Sequence, residues 1–527
     1  MTFYRLNNIK MPINATYEDV VNQAKKELSS FDITNIRIVK KSLDARNKGN
    51  LFNIYAVEFE CENKIENNLN VQITLQEEDI DFKNIYSYWG ENPVVIGSGP
   101  SGMLAGICLA EAGCKPIIIE RGAEINERQR DVNTFWHKGK LSIVSNVQFG
   151  EGGAGTFSDG KLMTGIKKDR YTAKVLKEFI TAGAPYEISY LAKPHIGTDN
   201  LVTMTKNIRN KIINLGGEYR FKEKLVNLNI ENDELKSITI QRIDGSLYEL
   251  KTNKLILALG HSARDTFKML YDCGVNMVQK PFSVGVRIEH KQSDINLAQY
   301  GKKYYNSPYL GAADYKLAVH LDNNRSVYTF CMCPGGVVVG ATSNVGHVVT
   351  NGMSEFNRDK ENANSAVLVN VDERDFGSSH PLAGLFFQDN LEKKAFALGG
   401  GNYFAPVQLV GDFLNSKATT ILGKVKPSYL PGVTPSDFRQ LFSEDLYRAL
   451  QQGIIAMNKK LKGFSDDDAV ITAVESRSSS PLRIIRDEMF MCNIKGVYPI
   501  GEGAGYAGGI VSAGADGVKS IVVPSLK

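Results

Sequence analysis

Three glycines near the first quarter of the chain are spaced so that they could bind nucleotide phosphates. Gly97, Gly99 and Gly102 form a G-x-G-x-x-G pattern. In this pattern the first glycine permits a tight turn, the second lets the backbone approach a pyrophosphate, and the third lets a helix pack closely on a strand. The N–H groups that open the helix then face the phosphates. The pattern predicts a dinucleotide site, although such spacing also occurs in ordinary turns.

The surrounding sequence strengthens this prediction and adds a ribose ligand. An apolar strand at 93–96 precedes the glycines, a helix from about Ser101 to Ala112 follows, and a second strand at 116–119 leads to Glu120. A carboxylate about 20 residues after the glycines can accept hydrogen bonds from ribose hydroxyls and would repel a 2′-phosphate. Glu120 therefore favours FAD or NAD over NADP. The alternative is an α/β core that binds no nucleotide.

Two distant segments favour FAD over NAD. The segment "YPIGEGAGYAGGIVSAGADG" places Gly501 and Glu502 at the end of a strand and a glycine-rich turn at the start of a helix. In flavoproteins of the glutathione-reductase type, an acid at that point binds the ribityl chain, and the helix N–H groups face the flavin pyrimidine. The apolar segment "LILALGHSA" reaches Gly260, which in that fold passes near the adenosine. Together these segments predict non-covalently bound FAD.

A glycine-rich loop, "FGEGGAGTFSDGKL" at 149–162, is a further candidate for cofactor contact because glycines allow the backbone to approach a planar ring or a phosphate. Lys161 in this loop could stabilise negative charge on reduced flavin; the alternative is a solvated lysine beside a turn. The predicted cofactor-binding residues are Gly97, Gly99, Pro100, Ser101, Gly102, Glu120, Arg121, Gly152, Gly153, Ala154, Gly155, Thr156, Gly260, Gly501, Glu502, Gly508, Gly509 and Ile510.

Three other charged residues join Lys161 as candidates for the substrate side and for catalysis. Arg287 stands in the apolar strand "SVGVRIEH", where its guanidinium needs either a protein carboxylate or a substrate carboxylate as partner. Glu475 and Arg477 lie in "TAVESRSSSPLR" and could pair with each other. The substrate would be anionic if Arg287 binds it.

Cys331 and Cys333 are the only closely spaced cysteines among seven. On a regular strand both side chains would point to the same face. They could be two small buried residues or part of the wall of an active site. A redox pair usually has two intervening residues at a helix N-terminus, and a metal site needs further ligands nearby, so no metal site is predicted.

Composition limits the classes of function. The chain has 527 residues, so more than one domain is expected. Its net charge of +4 is too weak to indicate nucleic-acid binding. We find no apolar run long enough to cross a membrane and no secretion-signal core at the N-terminus. An odd number of scattered cysteines does not predict a disulfide framework. We therefore expect a cytoplasmic protein without membrane or nucleic-acid partners.

The order of strand and helix patterns predicts three domains. Residues 1–88 have a β-α-β-β pattern, typical of a small α+β domain. Residues 89–263 and 470–527 are predicted to form one discontinuous α/β domain that binds FAD. Residues 264–469, in which antiparallel strand patterns precede helical ones, are predicted to be an inserted α+β substrate domain.

The chain resembles a family of uncharacterised bacterial FAD-dependent dehydrogenases, also described as NAD(P)/FAD-dependent oxidoreductases. The resemblance covers nearly the whole chain and rests on "VVIGSGPSGMLAG", "GEGGAGTFSDGKL", "CMCPGG" and "GEGAGYAGGIVSAGADG". It implies a glutathione-reductase-type, Rossmann-like FAD domain with an inserted substrate domain and an N-terminal appendage. It implies no particular substrate.

These observations predict an FAD-dependent oxidoreductase that transfers hydride between flavin N5 and a small organic substrate. The alternative is a flavin-binding protein that relays electrons or docks a partner and has no small-molecule substrate of its own. No second G-x-G-x-x-G opens a helix after a strand. Either the substrate therefore reduces FAD directly, or a reductant such as NAD(P)H docks transiently.

Overall fold

The N-terminal part of this computed structural model is a small four-stranded sheet with one helix. The structure describes residues 2–68, 70–74, 80–82, 84–163, 165–166 and 169–526. The sheet is antiparallel with the order β2-β3-β1-β4. Thr16 and Asp19 form a capping box at the start of α1, as its sequence predicts. The elements are β1 (Thr2–Pro12), α1 (Tyr17–Glu27), β2 (Ile33–Asp44), β3 (Phe52–Cys61), β4 (Val71–Ile73) and α2 (Ile85–Trp89).

The next segment supplies most of a parallel sheet and an antiparallel meander. The meander β8-β9-β10 turns at Asn232–Asp233, where both residues have positive φ, and at Gly245, as predicted. The elements are β5 (Val94–Ile96), α3 (Pro100–Glu111), β6 (Ile117–Glu120), α4 (Ile125–Lys138), α5 (Arg170–Thr181), α6 (Thr198–Asn214), β7 (Glu218–Phe221), β8 (Glu223–Glu231), β9 (Glu234–Arg242), β10 (Leu247–Lys251), β11 (Leu255–Leu257), α7 (Arg264–Asp272) and β12 (Met277–Gln279).

A seven-stranded sheet with the order β14-β15-β18-β13-β21-β19-β20 dominates the following region. Its strands pair antiparallel except for β19 and β20. The elements are β13 (Phe282–Lys291), α8 (Gln292–Tyr300), β14 (Ala318–His320), β15 (Ser326–Cys333), β16 (Val337–Gly340), β17 (Thr350–Met353), β18 (Asn362–Val371), α9 (Glu373–Phe376), α10 (Ala383–Leu398), β19 (Ala405–Leu409), α11 (Val410–Leu414), β20 (Val433–Pro435), α12 (Glu444–Asn458) and β21 (Val470–Glu475).

The C-terminal segment returns to the parallel sheet. It contains β22 (Leu482–Ile484), β23 (Val497–Pro499) and α13 (Ile510–Ser525). Strand β23 lies beside β11 and completes a five-stranded parallel sheet with the order β23-β11-β5-β6-β7. The last helix packs against α3, so the two ends of this α/β unit share one core. No helix among the described residues is long and apolar enough to span a membrane.

Strand pairing corrects both expected boundaries of the inserted region. Strand β21 begins at Val470 but pairs with β13 and β19 in the seven-stranded sheet, so this sheet extends to Glu475 rather than ending at 469. At the other end, α7 packs in the core beside the parallel sheet, and β12 pairs with β22. The seven-stranded sheet therefore starts at Phe282 rather than near 264. Apolar strand patterns do not reveal which sheet a strand joins, because the partner strand is distant in sequence.

Candidate functional site

A cleft of about 1570 Å³, including its open mouth, lies between the parallel sheet and the seven-stranded sheet. The carboxyl ends of β5, β6, β11 and β23 lead into it through Gly97, Glu120, Ala258 and Glu502. In open α/β sheets, ligands bind outside the carboxyl ends of the strands. The position of this cleft therefore matches that of a nucleotide site.

The first wall of the cleft is the turn from β5 into α3. Gly97 has a φ of 102°, and a Cβ there would lie 2.5 Å from the carbonyl oxygen of Ala258. A Cβ on Gly102 would lie 2.0 Å from the carbonyl oxygen of Gly97. Helix α3 starts at Pro100, and no side chain among the described residues caps its N-terminus at Gly99. Its first N–H groups therefore remain available to a phosphate in the cleft.

The N-terminus of α13 forms a second wall of the same cleft. Gly509 is the N-cap residue, and within the described chain no side chain caps this helix. Gly508, Gly509 and Ile510 line the cleft. A Cβ on Gly517 would lie 2.3 Å from the carbonyl oxygen of Ser101, so glycine is what lets α13 approach α3. Two uncapped helix N-termini therefore open into one cavity.

Glu120 is buried at the end of β6, and its carboxylate accepts four hydrogen bonds from neighbouring protein groups. Oε2 accepts hydrogen bonds from the backbone N–H (3.0 Å) and the hydroxyl (2.9 Å) of Ser98. Oε1 accepts bonds from the N–H groups of Gly122 (2.8 Å) and Gly150 (3.0 Å). The carboxylate thus ties both glycine loops together at the edge of the cleft. A ribose hydroxyl that binds Glu120 must share it with these donors, or displace the Ser98 hydroxyl.

Arg128 organises the glycine-rich loop and was not predicted. Its fully buried guanidinium donates to the carbonyl oxygens of Asn146, Val147, Gly150, Glu151 and Gly153, at 2.6–3.2 Å. Burial lowers its pKa to about 10, which still leaves it charged at neutral pH. The sequence held one sign of this role: Arg128 lies on the same helix face as the buried residues Ile125, Val132 and Phe135 of α4. An apolar residue would be expected at that position.

Most of the predicted cofactor-binding residues line the cleft, and the others support it. The residues that line it are Gly97, Gly99, Pro100, Ser101, Glu120, Arg121, Gly153, Ala154, Gly155, Gly260, Glu502, Gly508, Gly509 and Ile510. Those outside the lining are Gly102, Gly152, Thr156 and Gly501. Gly501 has a φ of 75°, and a Cβ there would lie 2.4 Å from the hydroxyl oxygen of Ser101. A Cβ on Gly152 would likewise clash with the hydroxyl oxygen of Thr156. These four residues shape the walls without facing the cavity.

Lys161 lines the end of the cleft next to the seven-stranded sheet. Its Nζ lies 2.8 Å from Oδ2 of Asp159, and Arg358 binds the same carboxylate through Nη2 at 2.6 Å and Nε at 2.9 Å. Burial opposes ionisation of Asp159, but the two cations hold its pKa below the usual value. Because two cations share one carboxylate, this trio carries a net positive charge facing the cleft.

Arg287 does not face the cleft, which corrects its assignment as a substrate-binding residue. It is fully buried, and its Nε and Nη2 donate to Oε2 (3.1 Å) and Oε1 (3.0 Å) of Glu475. Its Nη1 donates to Oδ1 of Asn364 (2.7 Å) and to the carbonyl oxygen of Cys331 (3.1 Å). Protein groups thus satisfy this guanidinium, as the alternative interpretation held.

The expected pairing of Glu475 with Arg477 is also wrong. Glu475 pairs with Arg287, whereas Arg477 donates from Nε (3.0 Å) and Nη2 (2.9 Å) to the buried carboxylate of Glu392. Arg264 binds the same carboxylate through Nη2 at 2.7 Å. Glu475 and Arg477 both line the cleft, but each is held by a partner from another element.

Cys331 and Cys333 do not share one face, because the strand is irregular between them. The pairing of β15 with β18 shifts between Phe330 and Cys333, and Cys331 has a φ of 42°. Cys333 is 1% exposed, whereas Cys331 is exposed to the cleft. Both residues line the cavity, so the interpretation that both are simply buried is corrected.

Glu502 reaches the cleft at the end of β23 without an ion-pair partner among the described residues. Burial raises the pKa of this carboxyl to about 7, and Lys280 opposes the rise only in part. The wall also includes residues that the sequence analysis did not assign to the cofactor: Gln148, Phe149, Glu223, Lys224, Leu225, His261, Ser262, Phe330 and Asn351. Of these, Phe149, His261 and Ser262 belong to segments singled out for their glycines, and the others lie outside those segments.

The residues around the cleft fit FAD. Two helix N-termini offer free N–H groups for a pyrophosphate and for the polar edge of a flavin, and glycine backbone lies between them. The cleft extends from the meander residues 223–225, past Gly97 and Gly153, to Lys161. A long dinucleotide is the class of ligand that would contact both ends. Among the described residues, no group of three His, Cys, Asp or Glu side chains is placed to hold a metal ion.

Family models match two parts of this chain, and a known relative matches nearly all of it. Residues 281–478, which contain the seven-stranded sheet, match the model for "FAD-dependent protein, C-terminal domain-like". Residues 4–60 match a domain of unknown function. A relative from Clostridium beijerinckii, described as an uncharacterized protein, is 45% identical over 532 residues, which cover 98% of this chain and 97% of that one.

Solved structures of flavoenzymes are similar at a coarse level. An E. coli quinol fumarate reductase mutant is 9% identical, with 83% of this chain and 70% of that chain covered and a TM-score of 0.38. A glycine oxidase from Bacillus cereus is 10% identical, with 82% and 94% covered and a TM-score of 0.34. A Bacillus halodurans glycerol-3-phosphate dehydrogenase complexed with FAD is 10% identical, with 83% and 66% covered and a TM-score of 0.32. TM-scores below 0.5 establish no activity for this chain.

Proposed function

We propose that this chain, which belongs to a family of FAD-dependent, oxidoreductase-type proteins, transfers hydride between non-covalently bound FAD and a small organic substrate. The observation that carries the proposal is the opening of two uncapped helix N-termini, α3 and α13, into one glycine-lined cleft. Backbone N–H groups placed in this way stabilise phosphate and developing negative charge without reorganisation.

The chain's own residues bind and position the cofactor. Gly97 and Gly99 keep the backbone bare where a pyrophosphate approaches α3, while Glu120 holds the two glycine loops in register. Arg128 fixes the second loop from behind through five carbonyl oxygens. When bound, FAD supplies a two-electron centre that accepts or donates hydride at N5. The protein adds orientation and a wall on the side of the seven-stranded sheet.

The substrate class that the cleft favours is a small organic anion. The trio of Lys161, Asp159 and Arg358 leaves one positive charge without a carboxylate partner among the described residues at that end. Arg477, which lines the cleft, shares the buried carboxylate of Glu392 with Arg264, and Arg264 also pairs with Asp389. A carboxylate bound near Lys161 would gain a charge-assisted hydrogen bond. Lys161 thus replaces Arg287 as the residue proposed to bind it.

A nicotinamide cofactor enters this proposal only as a transient reductant. Gly97, Gly99 and Gly102 form the one G-x-G-x-x-G that opens a helix after a strand in the sequence, and we assign it to FAD. NAD(P)H would then dock at the open mouth of the cleft for a single transfer and leave. Direct reduction by the organic substrate needs no such step.

An anaerobic screen separates the oxidoreductase from an electron-relay protein. Holoprotein is mixed with small organic acids, hydroxy acids, amines and NAD(P)H, and the flavin absorbance is followed. The proposal expects catalytic bleaching by at least one small donor, and turnover once an acceptor such as a quinone or dye is added. A flavin that exchanges electrons with protein partners but with no small molecule would support the relay instead.

The substrate site is tested with Lys161→Met and with the surface control Lys193→Met, whose side chain is exposed and pairs with Asp314. The first variant should lose the spectral response of the flavin to anionic ligands, and the second should keep it. An unchanged response in Lys161→Met would contradict the assignment of Lys161.

A further inference from the structure

We propose that Cys331 and Cys333 form a reversible dithiol–disulfide couple in the wall of the cleft. This couple would exchange two electrons with the flavin that the proposed function places in the same cleft, and it therefore rests on that function. Both cysteines line the cavity together with Lys161 and Phe330. The other five cysteines lie outside its lining, so the pair is distinguished by position as well as by spacing.

The irregularity in β15 lies in the segment that carries the two cysteines. Three residue steps of β15, from Phe330 to Cys333, lie opposite two steps of β18, from Ala366 to Asn364. Two steps of an antiparallel strand span about 7 Å. The segment from Cys331 to Cys333 makes up two of these three steps of β15. The Cys333 thiol folds back toward Cys331, because its Sγ lies 3.2 Å from the Cys331 carbonyl oxygen. A disulfide between them needs a Cα separation of about 4.4–6.8 Å.

The backbone at Cys331 has the strain expected of a functional position. A φ of 42° is disfavoured for a residue with a Cβ and costs roughly 1–3 kcal/mol. The conformation turns Cys331 into the cleft, while the Cys333 thiol stays behind it and donates to the Cys331 carbonyl oxygen at 3.2 Å. A residue needed only for packing would not require an exposed thiol here.

Positive groups next to the sulfurs can support thiol exchange. Nη1 of Arg287 lies 3.9 Å from Sγ of Cys333 and 3.1 Å from the Cys331 carbonyl oxygen. Desolvation in the wall of the cleft raises the pKa of Cys331, while Lys161 and Arg287 oppose this rise. The Cys331 thiol is therefore protonated at neutral pH and becomes a thiolate only as it reacts.

The redox step balances with flavin as the partner. Oxidation breaks two S–H bonds and forms one S–S bond, and two electrons and two protons leave the sulfurs. The electrons pass to oxidised FAD, and the protons pass to FAD and to solvent. In the reverse direction, electrons from reduced FAD open the disulfide and restore the two thiols, with Cys331 as the accessible one. The hydrogen bond from Cys333 to the Cys331 carbonyl exists only in the dithiol form.

A peptide experiment tests the disulfide itself. Purified protein is treated with diamide or with a phosphine reductant, alkylated under denaturing conditions and digested with trypsin. The peptide from Ser326 to Arg358 contains both cysteines and no others. The proposal expects this peptide to lose two hydrogens and resist alkylation after diamide, and to carry two alkyl groups after reduction. A peptide that is doubly alkylated after both treatments would overturn it.

Coupling to flavin is tested by counting electrons. Diamide-oxidised, desalted holoprotein is titrated anaerobically with dithionite while the flavin absorbance is recorded. Native protein and the control Cys273→Ser should take up two more electrons per flavin than Cys331→Ser. The Cys331→Ser variant is expected to fold, because Cys331 is exposed. Equal uptake by all three proteins would overturn the coupling. If the disulfide forms but the protein binds no FAD, the proposed function is contradicted, whereas the dithiol–disulfide couple itself is supported.

Discussion

Arg287 and Glu475 form a bidentate ion pair that joins two strands of the seven-stranded sheet, β13 and β21, beneath the cleft. The distances are 3.1 Å from Nε to Oε2 and 3.0 Å from Nη2 to Oε1, and the arginine side chain is 0% exposed. Glu475 also lines the cavity, so this ion pair connects the seven-stranded sheet to the wall of the site. A buried charge held in this way is costly to leave without its partner.

Arg287→Leu should therefore destabilise the protein by about 3–5 kcal/mol, because Glu475 would remain buried without its counter-ion. Denaturant unfolding measures the loss. The control is the double variant Arg287→Leu/Glu475→Leu, which removes both charges and should recover part of the stability. The account of this pair would be contradicted if the single variant unfolded like the native protein, or if the double variant lost the sum of the two single effects.

Gly99→Ala separates cofactor binding from folding. A Cβ on Gly99 would lie 3.8 Å from Cα of Gly153, which is ordinary contact, and Gly99 has a φ of −74°. The added methyl should therefore change stability by less than about 1 kcal/mol but obstruct a pyrophosphate at the start of α3. We expect at least about a tenfold weaker FAD affinity, which corresponds to about 1.4 kcal/mol.

The matched control for that change is Gly311→Ala, since a Cβ on Gly311 has no neighbour within 4 Å and the residue lies outside the cleft lining. Titration of apoprotein with FAD, with the flavin fluorescence recorded, measures both variants. Similar FAD affinities for the two variants would show that the α3 N-terminus does not approach the cofactor.

Glu120→Ala should weaken FAD binding by roughly 1.5–3 kcal/mol, the usual worth of a hydrogen bond to a charged group. It also leaves the N–H groups of Ser98, Gly122 and Gly150 without their shared acceptor, so stability should fall as well. Ser98→Ala removes one hydroxyl donor, keeps the carboxylate, and should cost less in both respects. Calorimetric FAD titration and thermal unfolding provide the two readouts. Unchanged affinity in Glu120→Ala would remove Glu120 from the ribose site.

The pH dependence of stability should report Glu502. Burial raises its pKa from 4.5 to about 7 in the folded state. Between those values the folded chain holds a proton that the unfolded chain has released, so this residue's contribution to stability falls as pH rises through that window. Glu502→Gln cannot titrate. Relative to native apoprotein, it should be equally stable near about pH 4 and more stable, by about 3 kcal/mol, near about pH 8. A constant difference across this range would contradict the shifted pKa.

The sequence predicted the local strands, helices and turns around the cleft because their signals are local. Glycine spacing, the strand before it and Glu120 after it lie within a few turns of chain, and the meander turn at Asn232–Asp233 follows from its residue types. Arg287 could be recognised as a residue that needs a partner. Its partner could not be chosen, since Glu475 lies 188 positions away and is brought opposite by sheet pairing.

The Cys331–Cys333 pair shows the same limit at short range. Two cysteines separated by one residue are predicted to share a face on a regular strand. The register shift against β18 instead leaves Cys331 exposed and Cys333 buried. That shift depends on how β15 meets a strand more than thirty residues later. Arg128 was missed for a related reason: its five acceptors are carbonyl oxygens of a loop whose path the sequence pattern does not describe.

The central claim, that this cleft holds FAD, is tested most directly by identifying the flavin that the protein releases. Protein purified with or without added flavins is denatured by heat, and the supernatant is analysed by chromatography and absorbance. The account predicts FAD at close to one molecule per chain, with no flavin left on the precipitated protein. Release of FMN, or no flavin after reconstitution with FAD, would contradict it.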